Sequence, residues 1–440
     1  VNLAPADLKK SGTGFDLPIA VGIVAASEQI PAEVLRDTVF YGELSLDGAL
    51  RRVRGALSMA LMARDQGARR VVLPADCASE AAMVVGVEVL AASHLDEVCA
   101  WARGEGRLAA AVHQASPPER SPVDLREVRG QARARRALEV AAAGGHNLLM
   151  MGSPGCGKTM LAARLPSILP DLTFDEAIDI TRIHSVAGLL PAGAGLVTRR
   201  PFRAPHHSIT AAGMVGSASL LPGEISLAHQ GVLFLDELPE YNRAVLELLR
   251  GPLEDREIRL TRASGTVRFP ASVSVVAAAN PCPCGMAGST GRVCTCAPAL
   301  RERYLAKLSG PLLDRIDLHV WVQPVDSDAL ISGPPGESSA VVRKRVVAAR
   351  ELQRCRLEGT PARCNAELTG DAVRTTTLPT ASALRLLQDL LDRHQLSARA
   401  GTRLLKVART LADLDGCEDL CPEHILEAST WRLPLRGAEP

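Results

Sequence analysis

Eight residues, 152–159, constrain this chain more than any others. Gly152, Ser153, Pro154, Gly155, Cys156, Gly157, Lys158 and Thr159 match G-x-x-x-x-G-K-[ST] at every fixed position. The apolar run 147–151 before them predicts a buried strand, and 160–165 after them predicts a helix. Strand, glycine-rich loop and helix are the context that a phosphate-binding loop requires. Glycines let backbone N–H groups wrap phosphate oxygens, and the helix N-terminus adds the positive end of its dipole. The pattern predicts a site for ATP and Mg²⁺, with Lys158 reaching the β- and γ-phosphates and the Thr159 hydroxyl holding the metal. The bland alternative is a glycine-rich turn that matches by chance; both flanks weigh against it.

Open parallel sheets bind ligands at the carboxyl ends of their strands, so other strands ending in polar residues are the next signal. Residues 231–237 carry an apolar run into two acids. Asp236 is placed to orient Mg²⁺ and its waters, and Glu237 to polarise an attacking water. Residues 273–280 form another apolar run, ending at Asn280. An amide there can orient the water or a γ-phosphate oxygen; a capping asparagine before Pro281 is the alternative. Arg315, within 311–318, is a candidate arginine finger, offered by one subunit to phosphates bound by its neighbour. On the residues alone it could equally pair with Asp314 or Asp317.

Composition bounds the class. A chain of 440 residues has room for two or three domains. Apolar residues make up 47% and aromatics only 3%, so the cores must be aliphatic. A net charge of +1 excludes a globally basic polyanion binder, so any nucleic-acid site must be a local patch or a pore lining. No apolar stretch reaches membrane-spanning length, and no secretory signal is visible. The 11 cysteines are odd in number and four cluster, which beside an ATP motif predicts a reducing cytoplasm. The first residue is Val1, which leaves a non-standard start codon or a fragment open.

The clustered cysteines are Cys282, Cys284, Cys294 and Cys296. Four thiolates suit a tetrahedral structural zinc, although C-x-C pairs are tighter than the common C-x₂-C. Reduced cysteines packing a glycine-rich hairpin are the alternative. Cys417 and Cys421 are expected to pack.

Residues 1–115 read as an α/β module with no phosphate loop of its own. A buried helix is expected at 16–26, a strand at 39–44, a helix at 55–67, strands at 70–74 and 84–90, and a helix at 95–102. The Pro-rich stretch 115–122 marks a boundary. It gives a linker at 116–122, a nucleotide domain at 123–325 and a helical lid at 326–440. Residues 42–48 and 71–74 resemble the proteolytic domain of Lon, a ribosomal-S5-like fold. Lon's Ser–Lys dyad is not matched: 54–58 hold no lysine, and 12–16 hold no serine. Ser11 and Ser58 read as surface or capping residues. The resemblance implies a non-proteolytic relative that scaffolds a ring or touches nucleic acid.

An ordered set of motifs carries a wider resemblance. It comprises 200–207 (Arg-Pro-Phe-Arg-Ala-Pro-His-His), 222–229, 252–255, 280–285 and 309–317. Over nearly its whole length the chain is similar to the magnesium-chelatase-related AAA+ proteins of the ComM/YifB type. The resemblance implies an α/β fold: an AAA+ parallel sheet with helices on both faces, a small all-α lid and an N-terminal S5-like domain. That domain is expected to lack strands contributed by family residues before the one matching Val1. A homo-hexameric ring ATPase of the helix-2-insert clade is implied, acting on single-stranded or branched DNA. A ComM-like helicase or branch-migration role in natural transformation or recombination follows, with recombination proteins as further partners. Asn280 takes the sensor-1 position and Arg315 the finger. Arg399 takes the sensor-2 position, with Arg403, four residues on along the same helix face, as its rival. The insert is placed at about 181–224 and faces the pore, with His206 and His207 as structural or pore contacts. The alternative function is a chelatase-type ATPase that remodels a partner protein.

Overall fold

The computed structural model describes residues 13–112, 122–217, 219–262, 265–288, 293–326, 328 and 331–432. Ser11, Gly12 and all of the predicted linker except Pro122 lie outside the described residues.

A five-stranded sheet organises the molecule. Its order is Leu318–Trp321, Leu148–Met151, Ser274–Ala279, Val232–Leu235 and Phe202–Arg203, and every neighbouring pair is parallel. Numbered along the chain, the order is 5-1-4-3-2. This is the α/β class that the sequence predicts. The strands read as unbroken apolar runs because both faces are covered. Alternation then divides each strand between two cores. Leu148, Met150, Val232, Phe234, Val276 and Ala278 face one side. Leu149, Met151, Leu233, Leu235, Val275 and Ala277 face the other. Trimming any of the large ones to alanine should cost about 2–5 kcal/mol.

The first core is shared with the C-terminal helices. Helix Ser339–Arg356 lays Val342, Val346 and Ala349 beside the buried face of helix Ala132–Gly144, and helix Ala398–Leu414 adds Leu404, Val407, Ala408 and Leu411. A buried polar thread fastens this layer to the sheet. His146 Nε2 lies 2.8 Å from Thr410 Oγ1, its Nδ1 lies 3.3 Å from Asp317 Oδ2, and Arg403 reaches Asp317 Oδ1 at 3.4 Å. Cys417 is exposed, against expectation; it follows the Gly416 turn at the end of its helix.

Residues 13–112 carry a second sheet in the order Thr38–Phe40, Arg70–Pro74, Glu88–Ala92 and Ala109–Ala110, parallel except for the last strand. Helices Ala56–Asp65 and Ala75–Ala81 cover one face, and Leu17, Val72, Leu90 and Val98 fill the other. Helix Asp16–Ala26, expected to be buried, encloses only Leu17 and Val21, and Ile23 is 54% exposed.

This module is tied to helix Phe174–Ala187 of the larger unit. Ile178 and Leu196 pack onto its core. Ser185 Oγ donates to Glu80 Oε1 at 2.7 Å and accepts from Gly55 N at 3.0 Å. Glu80 is 2% exposed, and burial pushes its carboxyl up from the usual range. The same helix runs through the start of the segment expected as the insert. Thr181 is buried inside it, bonded to Ala177 O and Val197 N, so the helix runs on to Ala187 before the chain leaves.

One buried histidine and one half-buried histidine make the fold acid-sensitive. Burial, with Arg363 and Arg200 nearby, pushes His229 down to about 4, and its Nδ1 accepts from Ser272 N. Burial and Arg432 push His319 down to about 4 as well. In the unfolded chain both take up protons below about 6.5. Their contribution to stability is therefore complete above that pH and is lost as pH falls toward 4. The thermal midpoint should drop between pH 7 and pH 5; a flat profile would contradict this. Among the described residues no helix is long and apolar enough to cross a membrane.

Candidate nucleotide site

Three adjacent strands end at one edge of the five-stranded sheet, and each delivers part of the predicted set. The phosphate loop leaves Leu148–Met151, the acid pair follows Val232–Leu235, and Asn280 follows Ser274–Ala279. Gly152 is required by close approach: a Cβ there would lie 2.3 Å from Val322 O and 2.8 Å from Cys156 Sγ. Gly157 sits at φ +89° and starts helix Lys158–Ile168. Lys158 is 8% exposed. Its Nζ donates to Gly152 O at 2.7 Å, Ser153 O at 2.9 Å and Asn280 Oδ1 at 3.2 Å.

The next residue makes the second link. Thr159 Oγ1 donates to Asp236 Oδ2 at 2.8 Å, while Asp236 Oδ1 accepts from Glu237 N at 2.9 Å. Glu237 is left-handed, at φ 50° and ψ 47°. A non-glycine residue there costs on the order of 1–3 kcal/mol, a strain that clusters at functional sites. One hydroxyl and one carboxylate converging from separate elements are oxygen donors that fit a hard divalent cation such as Mg²⁺. Pro154 and Gly155 complete the loop's outer turn, with Gly155 at φ +78°.

The three arginines fare differently. Among the described residues the Arg315 side chain forms no hydrogen bond or ion pair with the phosphate loop. Its side chain is 9% exposed, its NH1 donates to Pro311 O at 2.7 Å, and its NH2 pairs with Glu254 at 2.5 Å. Neither Asp314 nor Asp317 is its partner, because Asp317 turns inward to His146 and Arg403. Arg399 is exposed near the start of helix Ala398–Leu414 and has no ion pair among the described residues. Arg403 is committed to Asp317, which leaves Arg399 the free one of the two rivals.

Comparison with known proteins places the chain in a family. The family model "Magnesium chelatase, subunit ChlI" matches residues 124–346. Two companion models match 1–77 and 336–432. The chain belongs to the magnesium chelatase subunit ChlI family. Competence protein ComM of Haemophilus influenzae is 42% identical over 99% of this chain and 86% of its own length. The uncharacterized protein YifB of Escherichia coli is 43% identical over 98% and 84%. An uncharacterized protein of Mycobacterium tuberculosis is 47% identical over 98% and 85%.

Two contacts of this ChlI-family site were not read from the sequence, which placed His207 only as a structural or pore contact. Gln131, left-handed at φ 48°, donates from Nε2 to Cys156 O at 2.6 Å and to Gln323 O at 3.2 Å, buttressing the loop from behind. His207 brings Nδ1 to 3.5 Å from Glu237 Oε2, with the His206 ring centred 4.0 Å from its own. The flanking arginines hold this segment in place. Arg200 bonds to Pro170 O, Gln230 O and Glu176, and Arg203 forms a two-pronged pair with Glu224. His206 and His207 join no cluster of three or more metal-ligating side chains among the described residues. The four cysteines do: their ligand atoms all lie within 4.8 Å of one another.

Proposed function

We propose that the chain is an ATP-hydrolysing ring motor that acts on DNA. The observation that carries the ATPase half is the convergence of Lys158, Thr159, Asp236, Glu237 and Asn280 at one sheet edge. Lys158 and the loop amides bind the phosphates of ATP, and Thr159 and Asp236 hold Mg²⁺, which supplies charge neutralisation at the phosphates when bound. Asn280 orients the terminal phosphate, and Glu237 takes a proton from the attacking water. Arg399 from the helical layer and Arg315 from a neighbouring subunit offset charge developing on the transferred phosphoryl group. A finger offered across an interface needs a ring, and six copies are what the family resemblance implies. The N-terminal module serves as a non-proteolytic scaffold. Eleven cysteines, none of them in a disulfide, suit the cytoplasm. Cys282, Cys284, Cys294 and Cys296 hold a structural zinc.

Support for DNA comes from the competence protein among the relatives and from one surface. The hairpin Glu257–Arg262 and Gly265–Pro270 packs Ile258, Leu260 and Phe269 inward and sets Arg259 directly opposite Arg268 on its exposed face. Like charges directly opposite across strands are destabilising, so the pair is better explained by a polyanionic ligand than by folding. Glu257 pairs with Arg259 and offsets part of that repulsion.

The test is ATP turnover with and without single-stranded, forked and four-way DNA. Stimulation is expected, and it should fall as salt rises, because phosphate contacts release counterions. ATPase activity indifferent to every DNA would move the reading to a chelatase-type ATPase that remodels a partner protein.

A further inference from the structure

The cysteine cluster and the nucleotide site are parts of one short stretch. Cys282 follows Asn280 by two residues and is fully buried, while Asn280 accepts from Lys158. The turn after Cys282, closed by Gly285 N donating to Cys282 O at 2.9 Å, is seated on the phosphate loop. Gly285 is at φ +76°, and a Cβ there would lie 2.4 Å from Pro154 Cδ and 2.6 Å from its Cγ. The cluster thus touches the site twice, once through Asn280 and once through Pro154.

The sulfur geometry suits a metal. Cys282 and Cys284 stand 3.3 Å apart, and Cys294 lies 3.6 Å from each. Zinc–sulfur bonds of about 2.3 Å put the edges of a tetrahedron at about 3.8 Å. A disulfide would hold its sulfurs at about 2.05 Å. Ala287 N donates to Cys282 Sγ at 3.4 Å, as an amide does to a metal-bound thiolate. Two separate stretches supply the sulfurs, so the ion would fix one against the other.

We propose that zinc bound by Cys282, Cys284, Cys294 and Cys296 braces the phosphate loop, so that metal occupancy sets nucleotide affinity and turnover. The proposal rests on the ATPase reading above. Metal fixes the positions of Cys282 and Gly285, which hold Asn280 against Lys158 and the turn against Pro154. Releasing the sulfurs frees both contacts while leaving the apolar strands of the sheet in place. Loss of one hydrogen bond to a charged group weakens binding about ten-fold, and a 1 Å misplacement of a positioning group costs roughly 10²-fold in rate.

The full chain, purified reduced and without chelator, should hold about one zinc per subunit. Stripping with phenanthroline, followed by excess Mg²⁺, should weaken binding of a fluorescent ATP analogue about ten-fold and slow turnover by about ten-fold or more. Far-UV circular dichroism should be unchanged, and zinc alone should restore both quantities. Gly285→Ala supplies a second arm, expected to keep the zinc yet bind the analogue more weakly, because its Cβ would press on Pro154. No zinc in reduced, folded protein overturns the proposal. So does zinc whose removal leaves affinity and turnover within about two-fold, a spread that would leave no contact energy to assign. If stripping unfolds the chain, Gly285→Ala decides: zinc retained with unchanged affinity overturns the brace. Zinc-loaded protein that binds no nucleotide overturns the ATPase reading, and the brace with it.

Discussion

Glu237→Gln should slow ATP turnover by about 10²–10⁴-fold while nucleotide affinity stays close to that of the parent chain. The amide keeps the size and shape of the side chain but cannot accept a proton. Binding should survive because the phosphate contacts come from Lys158 and the loop, which Glu237 does not touch. The Asp236 contacts with Thr159 and with the backbone N–H at position 237 also remain. Single-turnover hydrolysis alongside equilibrium binding of an ATP analogue separates the two quantities. Hydrolysis at the parent rate would show that another group handles the proton.

Arg315→Ala should bind ATP almost normally and hydrolyse it about 10³-fold more slowly, or worse. Its own phosphate loop is intact, but the charge developing on the neighbour's phosphate goes uncompensated. In the single subunit Arg315 is held by Glu254 and Pro311 O. For Arg315 to act across an interface, assembly would have to offer a phosphate contact that outcompetes an ion pair with a half-exposed glutamate, an exchange of modest cost. Mixing Arg315→Ala with Lys158→Ala isolates the geometry. At one class of mixed interface, a sound arginine meets a sound loop, so part of the activity should return. No return at any ratio, in rings verified to be mixed, would make the Glu254 contact a structural tie.

The legible parts of this molecule were those whose signal is local. Leu148–Met151 is a short fully buried strand, and a glycine-rich loop with Lys158 behind it specifies its own geometry. The run into Asp236 announced itself in the same way. Contacts that join distant segments were silent. Nothing near Gln131 says that it will reach Cys156, because that contact depends on a left-handed backbone and on the sheet closing behind it. His207 meets Glu237 only once Arg200 and Arg203 have fixed the intervening chain. Local reading also missed helix Ala75–Ala81, whose alanine-rich turns carry little amphipathic contrast, and it began strand Glu88–Ala92 four residues early. Arg315 was a candidate finger whose alternative partners in sequence were Asp314 and Asp317, yet it pairs with Glu254, about sixty residues away.

The seam between the N-terminal module and helix Phe174–Ala187 has a practical meaning for anyone dissecting the chain. In sequence the proline-rich stretch invites a cut. In space the module's core borrows Ile178 and Leu196 from beyond that cut, and Glu80 finds its hydroxyl partner there. Severing the chain would bare an aliphatic face on each fragment and open to water a carboxyl left with Arg52 3.8 Å away as its cationic neighbour. The smallest portion that can be handled as a well-behaved reagent includes both sides of the seam.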